Sequence, residues 1–307
     1  MSLQRRRLLA GGGASAVSGL LASCVSARVE PAAHTARLSC PPPVKVDPSR
    51  VIRHLVGLRP YRASGYVVRA EELGDKRLVH NYGHGGAGIT LSWGTSLEAV
   101  KLGAPGHAGP AAVIGAGIMG LTTARLLQEA GLPVTIYTAA LPPDTTSNIA
   151  GGQWSPFGHY DEDAVTPEWR ARFHQALAYS WRRFQIMVGD DYGVRWLPTY
   201  TTNSDIPDPA DPLDRYHPAG RRLTRAEHPF AFDGLSRFDT LYVETGRYLR
   251  QLLRDVQTAG GKVEVRRFST PAELQGLPER LVFNCTGLGA RELFGDQTLR
   301  PARGQLV

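Results

Sequence analysis

Three cysteines in 307 residues are too few to build a disulfide scaffold. There is no CxxC, no HExxH and no paired histidine spacing, so no metal centre is expected, and most of the nine histidines read as structural. No period of solenoid length repeats along the chain. The net charge of +7 is carried mostly by arginine, in runs that are short and not interleaved with aromatics: Arg5-Arg6-Arg7, Arg221-Arg222 and Arg266-Arg267. That distribution argues against a nucleic-acid binder and for solvation, or loose attraction to anionic substrates. What the chain does have is 42% hydrophobic residues, 34 glycines and 22 prolines. It can bury a sizeable core, as one large domain or two intimately connected ones, with many turns.

The first 24 residues stand apart. MSLQRRRLLAGGGASAVSGLLASC has a basic head, a small and apolar stretch too short and glycine-rich for a comfortable membrane span, and Cys24 behind Leu21-Ala22-Ser23. Its arginines followed by Leu8-Leu9 resemble a twin-arginine export signal, and LASC resembles the box at which bacterial lipoproteins are cleaved and lipidated. The expectation is a signal over 1–24 with lipidation at Cys24, giving a periplasmic or envelope-anchored protein that touches membrane only through that anchor. Residues 25–50, rich in Pro, Ala and Ser, read as a linker. Cys40 and Cys285 then remain, and a disulfide between them is left open.

From Val51 the pattern tightens. VIRHLVGLRPYR, GYVVRAEEL and KRLVHNYG are strand candidates. TSLEAVKLG reads as a short helix ending at Gly103, and GAPGHAGP as a flexible joint. AAVIGAGIMGLTTARLLQEAGLPVTIYT then follows a strand-helix-strand grammar: a strand at Ala112-Val113-Ile114, a helix over Leu121 to Glu129 with Gly131 past its end, and a second strand. Pro167 opens a helix whose apolar stripe is Trp169, Phe173, Ala176, Leu177, Trp181 and Phe184, most simply core packing. ETGRYLRQLLRDVQTAGG is another amphipathic helix with Thr245 as N-cap, and KVEVRRF and RLVFNCTG read as returning strands. Alternating strands and helices argue for an open α/β sheet, which residues of roughly 160 to 240 interrupt.

Gly115-Ala116-Gly117-Ile118-Met119-Gly120 matches GxGxxG between a strand and a helix. Gly115 permits the tight turn, Gly117 admits a pyrophosphate to the backbone, and Gly120 lets helix and strand pack closely. The second strand should end in an acid for the ribose hydroxyls. It offers Tyr137, Thr138, Ala139 and Ala140 instead, with Asp144 five residues further on, so the ribose contact stays unassigned.

Five stretches together resemble the D-amino-acid oxidase family of flavoproteins: VIGAGIMGL, DTTSNIAGGQW, VFNCTGLGA with RPARGQLV, VGLRPYR, and NYGHGGAGITLSWG. The resemblance implies an α/β fold, with a Rossmann-type FAD-binding sheet and an interleaved α+β substrate domain. It implies FAD contacts at Gly115, Ala116, Gly117, Ile118, Met119 and Gly120. Further FAD contacts are implied at Thr145, Thr146, Ser147, Gly152 and Gln153, and near the ring at Gly85, Gly86, Ala87, Gly88, Ile89 and Thr90. Arg59 matches the arginine that pairs with the substrate carboxylate, beside Gly86 on the substrate side, with Arg62 a local competitor. The implied reaction is oxidative deamination of D-amino acids, by hydride transfer to flavin and reoxidation by O2. Its products are a 2-oxo acid, ammonia and hydrogen peroxide, and no side chain serves as acid or base.

In the family the arginine and NYGHGG segments come late, whereas here they precede the nucleotide fingerprint, which reads as a circular permutation. The segments are then 1–24 signal, 25–50 linker, 51–104 permuted segment, 105–110 joint, 111–160 Rossmann core, 161–240 part of the substrate domain and 241–307 the return to the FAD domain. The strands bearing substrate tyrosines would lie past Val307, so the chain reads as C-terminally incomplete and no substrate tyrosine is assigned. The alternatives are an oxidase of glycine or N-methyl amino acids (sarcosine-type), a non-catalytic FAD-binding remnant, and a nicotinamide dehydrogenase.

Overall fold

A computed structural model describes residue 45 and residues 47–202 and 206–306. The expected signal, Cys24, Cys40 and most of the 25–50 linker lie outside the described residues. Cys285 is a buried free thiol.

The first strand, β1 (Leu55–Tyr61), is followed by a hairpin of β2 (Val67–Leu73) and β3 (Lys76–Tyr82). Helix α1 (Gly88–Gly103) leads to the strand-helix-strand unit β4 (Ala111–Ile114), α2 (Ile118–Glu129) and β5 (Val134–Thr138). After α3 (Pro167–Gln185) come β6 (Val194–Thr201), β7 (Arg221–Leu223) and β8 (Leu235–Val243). Helix α4 (Thr245–Thr258), β9 (Lys262–Val265), α5 (Pro271–Gln275), β10 (Leu281–Asn284), α6 (Ala290–Leu293) and β11 (Arg300–Leu306) complete the order.

Among the described residues three sheets result. The main one runs β2-β3-β10-β4-β5-β9, parallel throughout except for the edge strand β2. Its central strands β4, β5 and β10 are buried along their length, as expected of a parallel sheet with both faces covered. The second sheet, β6-β8-β7, is antiparallel and occupies the stretch where the alternation breaks. The third is a ribbon of β1 and β11, antiparallel, with Gly57 opposite Gly304 and Arg59 opposite Ala302. Segment 51–104 therefore supplies two strands of the main sheet, one strand of the ribbon and helix α1.

Helix α1 begins at Gly88, seven residues before the expected start at Thr95. Its glycines misdirect a propensity reading. Gly94 is helical because α3 crosses α1 there: a Cβ at 94 would lie 1.9 Å from the Ala176 carbonyl oxygen, and the Gly94 N–H donates to Ser180 Oγ at 2.8 Å. That contact also adds Ser180 to the stripe of α3, whose expected residues are all buried or packed against the core. Ser180 is fully buried, whereas Trp181 is only partly buried. The N-cap of α4 is Glu244; Thr245 is its first helical residue and donates its hydroxyl to the Asn148 carbonyl at 3.1 Å. Thr166 caps α3, accepting the Trp169 N–H at 3.2 Å.

Between α1 and α2 runs a buried polar seam. Asn81 donates to Ser96 Oγ (3.2 Å) and Thr123 Oγ1 (3.3 Å). Ser96 pairs with Thr122 (2.8 Å) and accepts from Thr123 (2.9 Å), while Thr122 donates to the Ile118 carbonyl at 2.8 Å. All four side chains are fully buried, so each of these bonds avoids a desolvation penalty of about 1–3 kcal/mol.

Replacing Gly94 by Ala should disrupt the α1–α3 crossing despite the better helix propensity of alanine. Overpacking costs of about 3 kcal/mol translate to a melting temperature roughly 6–12 °C lower. Thermal unfolding followed by circular dichroism checks this, and an unchanged or raised Tm would contradict the close crossing.

Candidate active site

The carboxyl ends of β4, β5 and β10 open onto a cavity of about 670 Å³. The nucleotide turn forms one wall. Gly115 has φ 111°, and a Cβ there would come within 2.7 Å of the Cys285 carbonyl oxygen. At Gly120 a Cβ would lie 1.8 Å from the Gly115 carbonyl oxygen. Both glycines are demanded by the fold itself. Gly117 is different: the nearest atom to its added Cβ is Ser147 Oγ at 3.2 Å, on the cavity wall. The space in front of Gly117 is thus a cradle that a side chain would fill.

Helix α2 starts at this turn with Gly117 as N-cap, and no side chain of its own turn caps it. The Ile118 N–H donates to Ser147 Oγ at 3.0 Å. Thr145, Thr146 and Ser147 all reach the cavity wall, with Ala116, Ile118 and Met119. A helix N-terminus at a glycine turn, with hydroxyls beside it, is suited to a diphosphate.

A second helix N-terminus faces the same cavity. Gly83 to Ala87 form a turn with positive φ at Gly83, Gly85 and Gly86, closed by the Ala87 N–H donating to the His84 carbonyl at 2.9 Å. Helix α1 then starts at Gly88, also without a side-chain cap, and Gly88 and Ile89 line the cavity. His84 lines it too and anchors the turn. Its Nε2 meets Thr95 Oγ1 at 3.0 Å, and Thr95 donates to the Leu91 carbonyl at 3.2 Å, which makes Nε2–H the donor. Burial, with His159 adding to it, pushes His84 down to about 3, so the ring is neutral at physiological pH.

Arg59 stands on the ribbon beside this turn. Its Nη1 donates to the Gly85 carbonyl at 3.3 Å, and its stem lies against Gly86, where a Cβ would sit 2.8 Å from Arg59 Cδ. Arg59 has no carboxylate partner among the described residues. Its competitor Arg62 is committed elsewhere, to Asp296 at 3.2 Å, Thr298 at 3.0 Å and the Gly65 carbonyl at 3.1 Å. Of these two arginines, Arg59 is the one whose guanidinium is not held by a carboxylate.

Other expected contacts are not brought to the cavity wall. Gly152 and Gln153 tie their loop to β8: the Gly152 carbonyl accepts the Val243 N–H at 2.8 Å, and Gln153 bridges to Tyr242. Gly85 packs on the His159 backbone, Ala87 is buried, and Thr90 donates to the Ser155 carbonyl at 3.0 Å. Gly120 packs against its own turn, as described. Conversely, Gly57, His84, Thr138, Asp144, Arg266, Arg267, Gly287 and Gly304 line the cavity without having been assigned. Thr138 fills the place of the missing acid: its hydroxyl accepts the Ala116 N–H at 3.1 Å and donates to the Ala140 carbonyl at 2.7 Å. The Arg266 N–H donates to the Thr138 carbonyl, which sets the two arginines at this end. Cys285 lines the cavity as well, but burial raises its thiol to about 12, so it is no thiolate nucleophile.

A parallel sheet, a glycine turn and a helix N-terminus on one cavity define the dinucleotide-binding class of α/β proteins. Within it, the chain belongs to the family described as FAD dependent oxidoreductase, whose pattern matches residues 111–307. It is 33% identical over 207 residues to a D-amino-acid oxidase of Streptomyces coelicolor, covering 65% of this chain and 58% of that protein. It is 32% identical over 208 residues to a D-aspartate oxidase of Homo sapiens, covering 64% and 58%. The chain thus spans a little over half the length of these relatives. Among solved structures, iminodiacetate oxidase from Chelativorans sp. BNC1 aligns with 60% of this chain and 57% of its own, at 17% identity and a TM-score of 0.42.

The two kinds of glycine separate by experiment. Gly120→Ala should lower the Tm of the ligand-free protein by several degrees, because the overlap is internal. Gly117→Ala should leave that Tm within about 2 °C while weakening FAD binding at least tenfold. Scanning calorimetry and FAD titration check this, and equal effects of the two changes would contradict it.

Proposed function

We propose that the cavity holds FAD and that the chain performs FAD-dependent oxidative deamination of D-amino acids. The observation that carries this reading is the arrangement of two helix N-termini on a single cavity, with Arg59, which no carboxylate holds, beside the α1 terminus. The residues fit the cofactor. Gly117 leaves a cradle where the backbone meets a diphosphate, with the Ile118 amide and the Ser147 hydroxyl beside it. The Gly88 and Ile89 amides at the start of α1 would favour negative charge at the ring end.

Bound FAD would supply the hydride acceptor, with O2 as the terminal oxidant. Arg59 would clamp the carboxylate of an amino acid with two parallel N–H donors, holding the α-carbon over the ring. Gly86 makes this feasible, because its missing side chain lets the Arg59 stem lie flat on the turn. His84, neutral and with its N–H spent on Thr95, holds the turn in place and shuttles no proton. The scheme needs no side-chain acid or base.

We further read residues 51–104 as a permuted segment of this family. The parallel pairing of β3 with β10 and of β10 with β4 supports it, as does the short connection from α1 to β4. The family match also starts at residue 111, where β4 starts. Export through the residue 1–24 signal, with lipidation at Cys24, belongs to the same proposal.

The test is peroxide production by the purified chain over a panel of D-amino acids, L-amino acids, glycine and sarcosine. Peroxide from D-amino acids is expected, and Arg59→Ala should raise KM at least a hundredfold with the bound flavin spectrum unchanged. Turnover confined to glycine or sarcosine, or an unchanged KM, would contradict the assignment.

A further inference from the structure

The ribbon of β1 and β11 contributes an unusual surface to the cavity. Directly opposed residues of an antiparallel pair share one face. The Gly57–Gly304 and Arg59–Ala302 pairs are two residues apart along β1, so all four side-chain positions lie on the same face. A Cβ at Gly57 would point at Ile149 Cγ2, 3.2 Å away, and Ile149 lines the cavity. Arg59 reaches from that face to the Gly85 carbonyl. The face is therefore the cavity side. On it, three of four adjacent positions carry a methyl group or less, leaving bare peptide planes bordered by one guanidinium.

Glycine is a poor strand residue, so a cross-strand glycine pair needs a reason. Fold packing supplies none at Gly304. Its added Cβ would meet nothing nearer than the Gly57 carbonyl oxygen at 3.8 Å, and its φ is not in the left-handed region. A Cβ could stand there without moving the backbone, on a residue that lines the cavity. Space is being kept for something flat or closely approaching.

We propose that the Gly57–Gly304 pair is the floor of the compartment for the planar ring of FAD, and that the side chain missing at Gly304 sets the clearance for that ring. The inference rests on the reading of the cavity as a flavin site. Nucleotide-end contacts lie elsewhere, on the Gly117 turn and Ser147, so the two ends of the ligand can be probed separately.

The experiment is titration of the ligand-free 307-residue chain with FAD, followed by flavin fluorescence, and with ADP, followed by calorimetry. Wild type is compared with Gly304→Ala and Gly304→Val. The expected result is a graded loss of FAD affinity, severalfold for Ala and at least twentyfold for Val. ADP affinity should stay within twofold and far-ultraviolet circular dichroism should be unchanged. Unchanged FAD affinity in Gly304→Val would overturn the floor, and so would a parallel loss of ADP and FAD affinity. A wild-type chain that binds ADP but no FAD would instead overturn the flavin reading itself.

Discussion

The buried polar seam between α1 and α2 is the constraint on which the site depends. Asn81, Ser96, Thr122 and Thr123 have been taken out of water and are linked to one another by hydrogen bonds. Hydrogen bonds are directional, so the seam fixes both the rotation and the axial offset of the two helices, which apolar packing alone would leave looser. Those helices begin at the two glycine-rich turns. Locking them together places both N-termini on one cavity at a set separation. The glycine-rich segment near the start of the chain and the nucleotide fingerprint become one device with two ends.

The remaining elements serve that device. Sheet pairing of β3 beside β10, and of β10 beside β4, brings the Gly83–Ala87 turn up to the nucleotide turn from a segment that precedes it in sequence. The ribbon closes the cavity on a further side and delivers Arg59, while Arg62, three residues away, is drawn off by Asp296. The loop from Thr145 to Gln153 is divided between two tasks. Its hydroxyl end faces the cavity, and its glycine end is pinned to β8. The glycines are likewise divided: Gly115 and Gly120 are needed by the chain, and Gly117 and Gly304 leave room for a ligand.

The strand-helix-strand unit around the fingerprint was legible in sequence, because it is made by short-range periodicity with glycine at each boundary. Part of the cavity wall also coincides with motifs that lie far apart along the chain: Arg59, Gly86, Gly88, Ile89, the turn from Gly115 to Met119, and Thr145 to Ser147. What sequence could not show was set by long-range contact. Gly88 and Gly94 precede the expected helix start at Thr95, yet both are helical, and at Gly94 α3 packs where a side chain would be. Ser180 joins the buried stripe of α3 for the same reason: it meets a backbone amide of α1. Local sequence could not choose between Arg59 and Arg62, because the residue that decides it, Asp296, is at the other end of the chain. Nor could it tell that Gly152 and Gln153 bind β8, or that Thr138 occupies the place of an acid by answering the Ala116 amide.

The central claim is that both helix N-termini bear on one ligand. Diffraction from crystals of the chain grown with FAD tests it most directly. The diphosphate should lie within hydrogen-bond distance of the Ile118 amide and Ser147, and the ring should lie beside the Gly88–Ile89 amides. A diphosphate away from Gly117, or a ring turned out of the cavity with the α1 terminus facing solvent, would contradict the claim.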